Sequence, residues 1–132
     1  MRFARGLVVL VCGLAASCGG PKGAPTGTVR GVVTFQGRAL AGGTIVFAPH
    51  PERGPVAKCA TATIGADGEF RLAVGGSPYL MPGWYRVAIA EPADMASDGS
   101  FPAALRRPDR AGVDREVIAG KENVFEFRVE VP

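Results

Sequence analysis

The chain has 132 residues, of which 47% are hydrophobic, with 19 glycines and 11 prolines; that is room for one domain, rich in turns and poor in long helices. Its formal charge is +3, but Arg2 and Arg5 fall in a leader, and without them 13 basic side chains face 12 acidic ones, a net charge of +1. No basic stripe of the kind that releases counterions from a phosphate backbone is present, which argues against a nucleic-acid partner.

Met1 to Arg5 is a basic start, Leu7 to Ala16 is apolar, and Leu14-Ala15-Ala16-Ser17 places small residues before Cys18. This is a signal-peptide pattern over residues 1–17, and its apolar run is shorter than the ~20 residues a spanning helix needs. The site resembles the bacterial lipobox. The resemblance implies that Cys18 becomes the first mature residue, receives a diacylglyceryl group and anchors the protein to a membrane; Gly19 after it resembles proteins sent on to the outer membrane. Cleavage by the ordinary secretory peptidase after Ala16 or Ser17 is the alternative. Residues 18–27 hold Gly-Gly-Pro, Gly-Ala-Pro and Thr-Gly without apolar periodicity, and so form a lipidated Cys and flexible tether.

Residues 28–132 form the domain. Short segments alternate apolar and polar residues between turn signals, the pattern of half-buried strands. Val29, Gly31, Val33 and Phe35 share one face, and Gln36-Gly37 makes a tight turn. Ile45 and Phe47 share a face in the next strand, which Pro49 closes. A strand from Lys58 to Ile64 and another carrying Phe70, Leu72 and Val74 read as a hairpin through Ala66-Asp67-Gly68, where Gly accepts positive φ. Pro82-Gly83 introduces Trp84 to Ala90, with Tyr85, Val87 and Ile89 inward. Val113 to Ile118 and Val124 to Val131 close the series, and in the last of these Phe125, Phe127, Val129 and Val131 oppose Glu126, Arg128 and Glu130. The spacing predicts an all-β fold: a two-sheet antiparallel Greek-key sandwich of about seven strands.

Gly31-Val32-Val33-Thr34-Phe35, Gly43-Thr44-Ile45-Val46-Phe47-Ala48-Pro49, Asp67-Gly68-Glu69-Phe70 and Pro82-Gly83-Trp84-Tyr85-Arg86-Val87 follow one another in an order that resembles the carboxypeptidase regulatory-like domain. The tail, with Phe101-Pro102-Ala103-Ala104-Leu105, Glu116-Val117, Gly120, Asn123, Phe125 and Phe127, is similar to the transthyretin-like sandwiches of short bacterial lipoproteins. The regulatory domains are non-catalytic, so the resemblance implies no reaction. The hydroxyisourate hydrolases share the sandwich but end in Tyr-Arg-Gly-Ser beside histidines, whereas this chain ends Val129-Glu130-Val131-Pro132.

Candidate chemistry is sparse. Cys12 and Cys18 belong to the leader and its end, so Cys59 has no partner for an intrachain bridge, and no zinc-ligand spacing surrounds it. Its parity makes it half-exposed or interface-facing. His50, the sole histidine, reads as an exposed loop residue between Pro49 and Pro51, which leaves no base for a nucleophilic triad. Asp94 and Asp98-Gly99-Ser100 lack the calcium-loop spacing and read as a solvated turn. No catalytic residue, metal or cofactor is expected.

Two features suggest binding. Arg106 and Arg107, with Arg110, form a basic cluster that is either a solvated face or a contact for anionic glycan or lipid. Trp84 has the parity opposite to Tyr85 and is either outward, for stacking or a protein contact, or covered by the loop at Tyr79 to Met81 or at Phe101. The expected function is a lipid-anchored, extracytoplasmic, non-enzymatic binding or scaffolding module of the cell envelope that contacts protein. The alternatives are a carbohydrate-binding accessory domain that stacks sugars on Trp84, Tyr79 or Phe101, and an enzyme of unrecognised type.

Overall fold

The alternation that begins at Thr28 produces strand β1 (Thr28–Phe35), with Val29 and Val33 buried and Arg30 exposed between them. The computed structural model describes residues 25–131; the leader, Cys18 and the tether up to residue 24 lie outside the described residues. Gln36 and Gly37 both adopt positive φ, 53° and 80°, and turn the chain into β2 (Arg38–Ala39), which pairs Phe35 with Arg38. Two consecutive left-handed residues give a two-residue hairpin loop whose twist matches that of the strands.

The remaining strands are β3 (Thr44–Pro49), β4 (Ala60–Thr63), β5 (Glu69–Arg71), β6 (Gly83–Ala90), β7 (Asp114–Val117) and β8 (Glu122–Val129). Mostly β and built from two sheets, the structure is compatible with the predicted sandwich. One sheet runs β4-β3-β6-β7, antiparallel throughout. In the other, β1 is central: β8 lies along one side of it, while β5 and β2 share the other.

Three expectations need correction. The sandwich is not wholly antiparallel, because β1 and β8 run parallel over eight registered pairs, Thr28↔Glu122 to Phe35↔Val129. Alternation fixes which side chains are buried but not the direction of the neighbour, and these two strands lie at opposite ends of the domain sequence. The strands number eight among the described residues, the addition being the two-residue β2.

The expected hairpin between β4 and β5 also opens into a corner. Its turn is tight, with Gly65 N–H donating to the Glu69 carbonyl at 2.8 Å, and Thr61 and Ala73 exchange two bonds of 3.0 Å farther along. Between those points the arms part: Ala62 pairs with Ile45 in one sheet and Phe70 with Gly31 in the other. The separation lets Ile64, Phe70 and Leu72 enter the space between the layers, where all three are buried.

The core between the sheets joins Val29, Val33, Ile45, Phe47, Phe70, Tyr85, Val87 and Phe127. Phe47 stands among Tyr85, Phe125 and Phe127, with ring centroids 5.9 to 6.3 Å apart and tilted or edge-on, the range in which aromatic pairs add to simple burial. Gly31 makes room for this cluster: a Cβ there would lie 2.0 Å from the Phe125 carbonyl oxygen and 2.9 Å from the Phe70 ring. Between β6 and β7 the chain forms two 3-10 turns (Ala93–Asp98 and Ala103–Arg106) and one helical turn, α1 (Pro108–Ala111). Pro108 suits the first turn of α1 because its fixed φ is helical and it has no N–H to leave unpaired.

Candidate binding groove

Among the described residues β8 lies at the edge of its sheet. The carbonyls of Lys121 and Val129 accept from Thr28 and Gln36, at the two ends of β1. Odd-numbered backbone groups of β8 therefore face β1, and by alternation the N–H and C=O groups of Val124, Glu126 and Arg128 face away from it. Among the described residues β8 pairs with β1 alone, so this row of donors and acceptors is open to a further strand.

Beside that edge lies a groove of about 430 Å³. Its floor is apolar, made by Ile89, Leu105, Val113, Phe127 and Val129, and its rim carries Arg115, Glu126, Arg128 and Glu130. The loop after β6 supplies one wall and β8 the other. Arg115 is held there with its guanidinium carbon 4.9 Å over the Phe127 ring, and Glu126 pairs with Arg128 at 3.2 Å. The arrangement can accept an extended peptide whose backbone pairs with β8 and whose apolar side chains enter the groove.

The residues singled out in the sequence do not converge. Tyr79 is exposed, at 60%, before β6. Phe101 is buried, at 3%, with its ring centroid 5.3 Å from that of Phe35; it fills the core under the loop and cannot stack on a sugar. Trp84 has the parity expected of it, half-buried beside a fully buried Tyr85. One face of its indole is taken by Arg53, whose guanidinium carbon lies 4.5 Å from the ring centroid. Phe101 is therefore lost as a stacking surface, while Tyr79 and the second face of Trp84 are not taken by these contacts.

Arg106 and Arg107 are not a free basic patch either. The Arg106 guanidinium grips both carboxylate oxygens of Glu91, with Nε at 2.8 Å from Oε1, and the Glu91 side chain is buried, at 3%. The hydrogen bond to Glu91 raises the Arg106 pKa above its already high ordinary value. This pair ties the 3-10 turn at residues 103–106 to the end of β6 and so shapes the groove wall. Arg107 approaches Asp109 at 3.4 Å on the surface, a contact worth little.

His50 departs most from expectation, being buried at 8%. Its Nδ1 accepts from the backbone N–H groups of Glu52 and Arg53 at 3.1 and 3.2 Å, and the His50 backbone N–H donates to the Trp84 carbonyl at 2.9 Å. The imidazole caps the turn that presents Arg53 to Trp84. Bracketing prolines suggested an exposed loop, but the ring is the most economical way to satisfy two turn N–H groups in a half-buried place. Cys59 is exposed, and Asp94 lies in the first 3-10 turn. No group of three or more His, Cys, Asp or Glu side chains that could hold a metal occurs among the described residues.

Comparison with known proteins finds no matching family model, no matching curated protein and no matching solved structure. The groove residues Leu105 and Val113 were legible as apolar, but their meeting with β8 depends on how the loop after β6 folds back, which no local pattern encodes. Arg53, Glu91 and Arg115 carried no signal beyond charge.

Proposed function

We propose that this chain is a lipid-anchored, extracytoplasmic, non-enzymatic module of the cell envelope, tethered through Cys18, which binds an extended segment of a partner protein along β8. The observation that carries this reading is the open edge of β8 lying beside an apolar groove. A strand added there would gain main-chain hydrogen bonds for affinity and side-chain contacts on Val113, Leu105 and Phe127 for selectivity. The lipobox-like run before Cys18 supports the anchor. The resemblance to carboxypeptidase regulatory-like and transthyretin-like lipoprotein domains supports binding over catalysis, with a Greek-key sandwich as scaffold.

The test is a photo-activated crosslinker at Glu130, on the groove rim, in the bacterium that makes the protein. The expected result is capture of a defined envelope protein, lost when Val113→Arg fills the groove. Capture unaffected by that substitution overturns the groove as the site. Cys18→Ser is expected to release the protein from membranes and to abolish labelling by a fatty-acid analogue; equal labelling of both proteins overturns the anchor.

A further inference from the structure

Among the described residues the apolar exposure is strongly polarised. The large exposed hydrophobic side chains there are Val56, Tyr79, Met81, Ile118 and Val124. Val124 sits on the outer face of β8, and the other four belong to loops at one pole of the sandwich. That pole holds the start of β1, the end of β3, the starts of β4, β6 and β8, and the end of β7.

Backbone contacts bring these loops together. Gly27 bridges to Leu80, between Tyr79 and Met81, through two bonds of 2.8 and 3.0 Å. Gly120 N–H donates to the Thr26 carbonyl at 2.9 Å, and the Ile118 carbonyl lies 2.5 Å from where a Gly27 Cβ would stand. Gly83 pairs with Val117 and lies against Pro55, next to Val56. Lys58 and Lys121 are exposed in the same loops. The opposite pole, made by the turns at 36–43 and 64–68 and by the loop 91–113, carries none of the large exposed hydrophobic side chains among the described residues.

The chain enters this apolar pole at Pro25 to Thr28, only seven residues after Cys18. Seven residues reach at most about 25 Å when fully extended, so a lipid on Cys18 would keep the pole within that distance of the bilayer. We infer that the pole formed by Val56, Tyr79, Met81 and Ile118 is a membrane-docking face that rests on the headgroup region of an anionic bilayer. This rests on the lipid-anchor reading above. The chemistry suits the site: Tyr places a ring in the interface with its hydroxyl toward water, Met and Ile add apolar contact, and Lys58 and Lys121 meet anionic headgroups. A few side chains bind weakly alone, but an anchor makes their contact intramolecular. Docking would fix the tilt of the domain and present the β8 groove, whose wall is the loop 91–113 of the opposite pole, away from the membrane rather than letting it tumble on its tether.

The experiment uses the full-length lipidated protein in vesicles of phosphatidylethanolamine and phosphatidylglycerol with brominated acyl chains. Trp84→Phe removes the native indole, and the reporter is placed at the pole by Tyr79→Trp or Ile118→Trp, or at the far turn by Arg38→Trp. Fatty-acid labelling confirms the anchor in each variant. The expected result is quenching at both pole positions roughly twofold or more above that at position 38, as interfacial insertion requires. Labelled protein with equal quenching at all three positions overturns the docking face while leaving the anchor intact; unlabelled protein overturns the anchor and the docking face with it.

Discussion

The Arg53 guanidinium lies 4.5 Å above the Trp84 ring and reaches Asp114 at 3.0 Å. One cation thus bridges the loop after β3, the start of β6 and the start of β7. Trp84 is the sole tryptophan of the chain, so its emission reports on this contact. Arg53→Ala is expected to shift Trp84 emission and expose the ring to a soluble quencher, while lowering stability by ~1 kcal/mol or less, the usual value of a partly exposed cation–π contact. An unchanged spectrum would show that the stack does not form in solution.

Phe127 is buried at 4%, while its neighbour Glu126 is exposed. Phe127→Ala should cost roughly 3 to 5 kcal/mol in denaturant unfolding, and Glu126→Ala within about 0.5 kcal/mol. A cost below about 1 kcal/mol for the Phe substitution would place the ring outside the core.

The open edge of β8 makes a distinct prediction about proline. The N–H of Glu126 faces away from β1, so Glu126→Pro removes no ladder bond, whereas Phe127→Pro removes one. Comparing proline with alanine at each position separates this effect from side-chain loss. The excess cost of proline should be small at 126 and about 3 kcal/mol or more at 127. Equal excess at both positions would refute the strand alternation on which the docking edge depends.

Asn123 is buried, at 4%, and serves both β7 and β1. Its Oδ1 accepts from Ile118 N–H at 2.9 Å, and its Nδ2 donates to the carbonyls of Thr28 and Ile118 at 3.0 and 3.1 Å. Asn123→Ala removes these side-chain hydrogen bonds and should cost ~2 to 3 kcal/mol, measured by thermal or denaturant unfolding. Asn123→Asp keeps the acceptor but loses the amide donor, and should be no better tolerated.

Burial pushes the Tyr85 hydroxyl up to about 12, and its proton is donated to the Met81 carbonyl at 2.6 Å. The folded state therefore holds this proton where the unfolded chain, near 10, has released it. Stability falls as pH rises from about 10 to about 12, by at most ~1.4 kcal/mol per pH unit from this group. Tyr85→Phe should remove that part of the slope; an identical slope in both proteins would mean that Tyr85 titrates normally.

Much of the fold was legible because burial leaves a period of two. Val29 and Val33, Ile45 and Phe47, Tyr85 and Val87, and Phe127 and Val129 all face inward as their alternation implies. The Gln36-Gly37 turn was legible from glycine chemistry. What alternation could not convey was partnership: that β8 runs parallel to β1, or that the arms beside Asp67-Gly68 enter different sheets. The candidate site was less legible. Phe101 and His50 sit in sequences that look like loops, and they are loops, but their rings turn inward to fill space and to cap a turn. The groove arises where a loop meets an edge strand, and neither element announces the other.

The parallel course of β1 and β8 also has a mechanical consequence. The tether joins at the start of β1, and the chain leaves β8 at the other pole, where Val131 N–H meets Gln36. A pull between the start of β1, where the proposed anchor would act, and a load at the end of β8 runs along both strands. All the hydrogen bonds of the β1–β8 ladder then resist together in shear, instead of opening one after another as in a hairpin peeled from its end. With the proposed lipid on Cys18 and the proposed partner on β8, a domain strung this way is built to bear tension.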